Sequence, residues 1–376
     1  MQKRKLPDTP GGKLLLLGFL ALLLLPWPLW AVFHGAVDTA NYENRTLAEF
    51  PKNVSVEEWP SDFEDWLGDH APFRNQLMTL NAGVNNLFGT LDSTDVLRGK
   101  DGWLFLKDVS DSTSISDYQG LTAPTGEELS TATAALDALQ AALAARGSQL
   151  VVLYAPAKEG VYAANMPATV PAVNRPTRVQ ALVSALRADT TVPVVFPQEA
   201  LTQAAAAQQV YYKYDTHWNE AGAWLAAQQV LEALGLPHGT ALPAAGADPA
   251  QAAPHDLANI SASWKFCTDD VYYTLDAPRA ALDDGSPNGE VQWYTGSGDA
   301  PMLLVRDSFG AALAPFLAEP FGRSLVIHGN SLTVENLQTR QEEFPKAVVL
   351  EVAERFYYTL PTRAATLLEW LDTHPQ

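Results

Sequence analysis

The sequence predicts an α/β fold, in which a mostly parallel sheet is flanked by helices and preceded by an N-terminal transmembrane helix. From residue 125 onward, short apolar runs alternate with helical segments, which is the pattern of a sheet covered on both faces. The chain has 376 residues, of which 47% are hydrophobic and 18% charged, so it can bury a sizeable core. The third observation is an uncharged run over residues 14–33.

This apolar run, "LLLLGFLALLLLPWPLWAVF", is long enough to cross a membrane, because a helix of about twenty residues spans the hydrocarbon core. Residues 1–13 carry four lysines or arginines and one aspartate, so they are expected to be a cytoplasmic tail. A cleaved signal peptide is the alternative, but the run is long for one and no small-residue cleavage site follows closely. We predict a single-pass anchor in the inner or cytoplasmic membrane, with the rest of the chain periplasmic or extracytoplasmic.

Charge and cysteine content exclude several kinds of partner. The formal net charge is −19, and residues 1–13 contribute +3, which leaves −22 for the remainder. Nucleic acid is not expected as a partner, because phosphate binding needs a basic footprint. The one cysteine, Cys267, cannot form an internal disulfide or a cysteine-based metal site. The seven histidines include no H-x-x-x-H pair, so we predict neither a metal nor a cofactor.

The chain after the anchor divides into two predicted parts. Residues 34–124 form an N-terminal lead-in, with a helix that starts after Ser61 and a hairpin in "VLRGKDGWLFL". Residues 125–376 form the main domain. Its strands are expected in "QLVVLYAP", "VPVVF", "PMLLV", "RSLVIHGN" and "AVVLEVAER". An insertion is expected at about 236–300. It begins with a polar segment rich in proline, glycine and alanine and continues with strand-like pieces in "WKFCTDDVYYTL" and "EVQWYTG".

In such sheets, ligands bind beyond the C-terminal ends of the strands, so chemistry is sought directly after apolar runs. "PMLLVRDSFG" leads from a strand through Ser308 into a helix. A serine at this elbow exposes its hydroxyl and holds its backbone N–H near the positive end of the helix, as a nucleophile requires. A helix N-cap is the other interpretation of Ser308, and the motif by itself leaves both open.

A base is needed to activate a serine hydroxyl, and "YYKYDTHWNE" contains Asp215 and His217. In an extended segment, residues two apart point the same way. The Asp215 carboxylate can then hold the His217 Nδ1–H while Nε2 faces a nucleophile. A structural histidine is the alternative interpretation.

"YDTHWNEAG", followed 91 residues later by "RDSFG", resembles the SGNH-like, membrane-anchored acetyltransferases that O-acetylate exopolysaccharides. These are the alginate O-acetyltransferase group and the related DHHW family. Further agreement lies in "ENRTLAEFP", "FEDWLGDHAPFRNQL", "VLRGKDGWLFL", "YAPAKEGVY" and "VVLEVAERF", so the resemblance covers nearly the whole chain after the anchor. The order Asp-x-His before Ser is the reverse of that in ordinary SGNH hydrolases. The resemblance implies an SGNH-hydrolase-like fold with permuted motif order.

The resemblance also implies a serine-type O-acetyltransferase. Ser308 is the implied nucleophile, His217 the general base and Asp215 its orienting acid. The acetyl group would pass through an acetyl-serine to hydroxyls of an exopolysaccharide or cell-envelope polysaccharide. A multi-pass membrane-bound O-acyltransferase is the implied donor partner.

Two groups of residues complete the predicted site. For the oxyanion, the Ser308 N–H and the loop with Gly329 and Asn330 are the candidates. The chain has Glu354-Arg355 where the family usually carries an asparagine-bearing block, and a contribution of Arg306 or Arg355 to the oxyanion site stays open. The alternative is that these arginines tie loops together, which is the role favoured for Arg355. Candidates for substrate binding are Arg306, Lys158, Tyr214 and Trp218, each of which has a packing or ion-pair role as its alternative.

Two other functions stay open at this point. A carbohydrate acetylesterase would use the same triad, with water as the acceptor. A non-catalytic polysaccharide-binding scaffold of an export complex would need no triad at all.

Overall fold

The computed structural model describes residues 9–41, 46–91, 93–109 and 113–373, which form two compact units. The first unit comprises residues 1–92 and 258–268, and the second comprises 93–257 and 269–376. Most of the predicted cytoplasmic tail, residues 1–8, lies outside the described residues.

Helices dominate the first unit. They are α1 (Pro10–Leu24), α2 (Pro26–Phe33), α3 (Trp59–Asp69) and α4 (Arg74–Leu87). The helical stretch Pro10–Ala36 has a mean hydropathy of 2.2 and no buried residues, and by length and composition it could cross a membrane. Pro26 is the first residue of α2, where a missing N–H is tolerated.

The second unit alternates helices and strands. It begins with the predicted hairpin, which is confirmed: β1 (Val96–Arg98) pairs antiparallel with β2 (Leu104–Leu106). The remaining strands are β3 (Gln149–Ala155), β4 (Val194–Val195), β5 (Ala245–Ala247), β6 (Tyr273–Leu275), β7 (Ala281–Gly285), β8 (Val291–Thr295), β9 (Met302–Arg306), β10 (Arg323–His328) and β11 (Ala347–Ala353).

The helices after the hairpin are α5 (Ser114–Gln119), α6 (Gly126–Ala144), α7 (Lys158–Val161), α8 (Arg178–Asp189), α9 (Gln198–Ala205), α10 (Glu220–Ala233), α11 (Asp256–Ile260), α12 (Gly310–Leu317), α13 (Val334–Arg340) and α14 (Leu360–Asp372). Helix α11 begins in the second unit and ends in the first. A 3₁₀ segment, Glu354–Thr359, joins β11 to α14.

The described residues of the second unit contain a seven-stranded sheet in the order β4-β3-β11-β9-β10-β8-β7. The first five strands are parallel to one another, which agrees with the prediction, whereas β8 pairs antiparallel with both β10 and β7. Strands β7 and β8 both lie within the predicted insertion at 236–300, so part of that segment extends the sheet. Their connection spans only residues 286–290, which is too short for a parallel crossover.

The core fills both faces of this sheet. Successive side chains of a strand point to opposite faces, so Val151 and Leu153 enter one cluster while Leu150 and Val152 enter the other. Helices α10 and α12 contribute to the first cluster, and α6, α8 and α14 contribute to the second. All residues of β9 and β11 are buried, which explains their continuous apolar sequences.

The register aligns the strand ends that carry the predicted chemistry. Ala353 at the end of β11 pairs with Ala155 at the end of β3, and His328 pairs with Arg306 across β10 and β9. The segments that follow these strands therefore begin at one edge of the sheet.

Candidate active site

Asp215, His217 and Ser308 form a continuous hydrogen-bonded chain. The His217 Nδ1 lies 2.7 Å from Asp215 Oδ1, and its Nε2 lies 2.8 Å from the Ser308 Oγ. Asp215 is buried, the His217 side chain is 27% exposed, and Ser308 is exposed. This is the order carboxylate, imidazole, hydroxyl, with the hydroxyl open to solvent, that serine acyl transfer requires.

The Ser308 loop is held by its neighbour Asp307. The Asp307 carboxylate accepts hydrogen bonds from Phe309 N, at 2.9 Å, and from Ala353 N at the end of β11. In residues 9–41, 46–91, 93–109 and 113–373, the Ser308 N–H has no hydrogen-bond acceptor. The loop thus places one free backbone donor beside the Ser308 hydroxyl.

A second carboxyl group, that of Glu351 on β11, also forms a hydrogen bond with the Ser308 loop. Glu351 is fully buried, and its Oε2 accepts a hydrogen bond of 2.8 Å from Asp307 N. Burial, together with the nearby charge of Asp307, raises the Glu351 pKa well above its ordinary value. A β-carbon at Gly310 would lie 2.8 Å from Glu351 Oε2, so the absence of a side chain lets α12 start this close to β11.

The Asp215–His217 loop is held by a buried lysine. Lys158 is 2% exposed, and its Nζ donates hydrogen bonds to the carbonyl oxygens of Tyr212, Lys213 and Asp215, at 3.2, 3.3 and 2.6 Å. Burial lowers the pKa of Lys158 to about 8, although nearby carboxylates oppose this. The ammonium therefore fixes the backbone from which the Asp215 carboxylate projects.

Trp218 connects the two loops directly. Its Nε1–H donates a hydrogen bond of 3.0 Å to the Phe309 carbonyl oxygen, and both residues are buried. Trp218 follows His217 in the chain and Phe309 follows Ser308, so this bond ties the loop of His217 to the loop of Ser308. The Phe309 ring also packs against the His217 ring, with centroids 4.8 Å apart.

A second carboxylate near the imidazole, Asp256, was missed in the sequence. Its backbone N–H donates to Asp215 Oδ2 at 2.9 Å, and its side chain accepts hydrogen bonds from Thr216 N and Oγ1, at 2.8 and 2.6 Å. Asp256 Oδ2 lies 3.7 Å from His217 Nδ1. It begins the short helix α11 within a segment that looked like a polar excursion, and no local pattern links it to the Asp-x-His motif.

The two carboxylates control the protonation of the imidazole. Burial lowers the pKa of His217, but the hydrogen bond and charge of Asp215 and the charge of Asp256 outweigh it, so the His217 pKa is raised. For Asp215, burial raises the pKa, yet the His217 hydrogen bond and charge and two backbone N–H groups lower it to about 2. Asp215 is therefore ionised throughout the physiological range.

Asp215, His217 and Asp256 each offer a ligand atom within 4.8 Å of the others, which is compact enough to consider for a metal ion. Both oxygens of Asp215 already accept N–H groups, and the nearest imidazole nitrogen faces Asp215. The prediction that the site uses no metal stays a prediction.

The four residues predicted to bind substrate are buried, and a substrate role for them stays a prediction. Lys158, Tyr214, Trp218 and Arg306 are all buried, at 2%, 5%, 1% and 6% exposure. Their polar groups contact the protein: Arg306 donates to two backbone carbonyls and to Gln292, and the Tyr214 hydroxyl donates to Asp269. The aromatic residues Tyr214 and Trp218 of the Asp215–His217 loop face the protein core, because burial of their apolar rings is more favourable than exposure to water.

Among the predicted oxyanion donors beyond Ser308, Asn330 already uses its backbone N–H in a hydrogen bond within the protein. Its backbone N–H donates to His328 Nδ1 at 3.1 Å. Gly329 is next to it, and a β-carbon there would lie 2.8 Å from the Arg363 guanidinium. A role for the Gly329 N–H stays a prediction.

A narrow cleft opens between the ends of β3 and β11. Thr216 and Phe309, the neighbours of His217 and Ser308, line it together with Ala353, Glu354 and Arg355. Its volume is about 10 Å³, which is the space of about one water molecule.

The chain is similar to known proteins over part of its length. Residues 96–262 match the family model described as "SGNH hydrolase-like domain, acetyltransferase AlgX". The matched range contains Asp215 and His217 and ends before Ser308. Over 154 residues, the chain is 30% identical to the probable alginate O-acetylase AlgJ of Pseudomonas aeruginosa; this alignment covers 39% of the chain and 36% of that protein. The aligned stretch is thus a minor part of the relative.

Two solved structures are similar to the chain. The O-acetyltransferase domain of Pseudomonas putida AlgJ is 20% identical, with a TM-score of 0.44, and the alignment covers 74% of this chain and 99% of that one. Bacillus cereus PatB1 with a sulfonyl adduct is 16% identical, with a TM-score of 0.48, over 70% of this chain and 97% of that one. The resemblance predicted from the sequence is confirmed: residues 96–262 match this acetyltransferase family model, and part of the chain is similar to an alginate O-acetylase.

Proposed function

We propose that this chain is a membrane-anchored, extracytoplasmic O-acetyltransferase. It moves acetyl groups through an acetyl-serine at Ser308 onto hydroxyls of an exopolysaccharide or cell-envelope polysaccharide. The observation that carries the proposal is the hydrogen-bonded chain from Asp215 through His217 to the exposed Ser308 hydroxyl. The match to an acetyltransferase family supports the choice of acyl group.

The first half of the proposed reaction acylates the enzyme. His217 Nε2 takes the Ser308 proton as Oγ bonds to the acetyl carbonyl carbon, and the carbonyl electron pair moves onto oxygen. Collapse of this oxyanion breaks the bond between the acetyl carbon and the donor oxygen. His217 returns its proton to that departing oxygen.

The second half repeats these steps with a sugar hydroxyl. His217 takes the sugar proton, and the sugar oxygen attacks the acetyl-serine. When the second oxyanion collapses, the bond to Ser308 Oγ breaks and His217 gives the proton back to Ser308. Asp215 keeps the Nδ1 side of the ring protonated, so that Nε2 is the basic nitrogen in both halves.

The apolar helix Pro10–Ala36 supports the anchor in this proposal. The anchor at 14–33 would hold the lead-in, 34–124, and the catalytic domain, 125–376, outside the cytoplasm near the membrane. A donor delivered across the membrane by a multi-pass O-acyltransferase would then be accessible to Ser308. The acceptor polysaccharide completes the set of proposed partners.

The test uses the full chain purified in detergent. It is mixed with 4-nitrophenyl acetate, quenched and digested, and the peptide that contains Ser308 is examined by mass spectrometry for one acetyl group. Ser308→Ala is compared with Ser184→Ala, which removes an exposed hydroxyl from α8. We expect acetylation in the wild type and in the Ser184 variant, and none in the Ser308 variant.

A polysaccharide is added in a second step. Acetyl groups found on the polymer support the transferase, whereas release of free acetate alone, across neutral and acidic polysaccharides, identifies an acetylesterase. If the wild-type chain forms no acetyl-serine, both enzyme functions are wrong and a non-catalytic scaffold is the better explanation.

The pH dependence tests the role of Asp256. Because His217 acts as a base, activity is lost as pH falls through the His217 pKa, which the two carboxylates raise. Asp256→Asn removes one negative charge but keeps an acceptor oxygen for Thr216, so the acid limb of kcat/KM should move to lower pH, by up to about one unit. Asp189→Asn, an exposed change on α8, is the control. An unmoved limb, or one at higher pH, would show that Asp256 does not act on His217.

A further inference from the structure

Arg355 differs from the other arginines around the catalytic edge of the sheet. The guanidinium groups of Arg306 and Arg363 are both buried and donate to backbone carbonyls. Arg355 is half-buried, and within the part of the chain that the structure describes its guanidinium has neither a hydrogen-bond acceptor nor an ion-pair partner. All of its N–H donors are thus available to a ligand.

Two aromatic rings hold this guanidinium without using its donors. The Arg355 Cζ lies 5.7 Å from the centroid of the Phe309 ring and 4.9 Å from that of Phe356. The Phe309 ring also contacts the His217 ring, and Phe309 directly follows Ser308. The Arg355 guanidinium and the His217 imidazole therefore both pack against the ring of Phe309, the residue that follows Ser308.

The carboxyl group of Glu354, the residue before Arg355, bonds to the backbone after β3. Glu354 is buried, and its Oε2 accepts a hydrogen bond of 2.7 Å from Ala157 N. Burial raises the pKa of Glu354 to about 7, so much of its negative charge is lost near neutral pH. The positive charge in the cleft is consequently not cancelled by its neighbour.

We propose that Arg355 is a catalytic residue whose guanidinium, together with the Ser308 backbone N–H, binds the oxyanion of the tetrahedral intermediates. This rests on the proposed function. As Ser308 Oγ bonds to the acetyl carbon and its proton passes to His217, the carbonyl electron pair moves onto the acetyl oxygen, which accepts hydrogen bonds from Arg355 and Ser308 N. The pair returns when the bond to the donor oxygen breaks.

The cleft that Arg355 lines is narrow, and its volume of about 10 Å³ is the space of about one water molecule. The predicted alternative donor on the neighbouring loop, Asn330 N, is already bonded to His328. Arg355 would supply a side-chain donor in addition to the backbone N–H that is available at Ser308.

The test is the full chain in detergent, with Arg355→Met, which keeps an unbranched apolar stem, and Arg355→Lys, which keeps the charge. Arg340→Met, an exposed arginine on α13, is the matched control. We measure single-turnover acetylation of Ser308 by 4-nitrophenyl acetate and inhibition by methylboronic acid, whose tetrahedral serine adduct carries the oxyanion charge.

We expect Arg355→Met to slow acetylation by about 10²–10³-fold with a small change in KM, the loss typical of one oxyanion donor. Methylboronic acid should bind more weakly by a similar factor, Arg355→Lys should fall between, and the control should match the wild type. Removal of the positive charge should also move the acid limb to higher pH, because Arg355 lowers the His217 pKa.

Three results would overturn the proposal. They are unchanged acetylation in Arg355→Met, unchanged boronate affinity despite slower acetylation, and a rise only in the KM for an acidic polysaccharide. If Arg355→Met does not fold, Arg355→Gln is measured in the same two assays. A wild-type chain that forms no acetyl-serine would contradict the proposed function itself, whereas normal acetylation in the Arg355 variants contradicts only this inference.

Discussion

Exchange of Asp215 for asparagine is expected to lower the rate of acetyl-serine formation by about 10⁴-fold while the fold stays intact. The buried carboxylate accepts hydrogen bonds from the His217 ring and from the backbone N–H groups of His217 and Asp256. An amide has only one acceptor oxygen. If that oxygen serves the backbone, the amide NH₂ faces His217 Nδ1, which must then be the unprotonated nitrogen. The proton moves to Nε2, which can no longer accept the proton of Ser308.

The measurement is the single-turnover rate with 4-nitrophenyl acetate at a pH above the His217 pKa, where the wild-type imidazole is neutral. Asp189→Asn, on the exposed surface of α8, controls for the substitution itself. Near-ultraviolet circular dichroism of the Asp215 variant should match that of the wild type. A loss of less than tenfold with the same spectrum would mean that Asp215 does not set the tautomer of His217.

The second large expected effect is that the losses in rate caused by substitutions of Ser308 and His217 are not additive. Each single alanine substitution is expected to lower the rate of ester cleavage by about 10⁶-fold, and the double substitution should lower it no further. The reason is that the 2.8 Å contact between Ser308 Oγ and His217 Nε2 makes them one functional group. Without the base the hydroxyl keeps its proton, and without the hydroxyl the base has nothing to activate.

Both single variants and the double variant are measured together with the background hydrolysis of the ester. Additive losses, or full acetylation of Ser308 in His217→Ala, would show that another base serves the serine. Trp218, which ties the two loops together, is left unchanged in every variant, so the spacing of the site is preserved.

The fold class and the main catalytic candidates could be predicted from the sequence, because both depend on local order along the chain. The fully buried strands β9 and β11 appear as continuous apolar runs, and Ser308 and Gly310 at the strand-to-helix elbow are only two residues apart. The Asp-x-His pair is likewise local, since an extended segment orients residues two apart in the same direction. The antiparallel strand β7 was harder to predict, because all of its residues are exposed and its sequence, "ALDDG", resembles a polar loop.

The sequence by itself thus determined the alternation of strands and helices, the apolar N-terminal segment and the Asp215, His217 and Ser308 candidates. Only the tertiary structure decided which side chains surround them. It brought Asp256 to 3.7 Å from His217 and buried Lys158 against three carbonyl oxygens. It also enclosed Tyr214 and Trp218 and left the Arg355 guanidinium against Phe309. Burial and separation depend on which strands are neighbours in the sheet, and residues far apart in the chain meet only when that order is established.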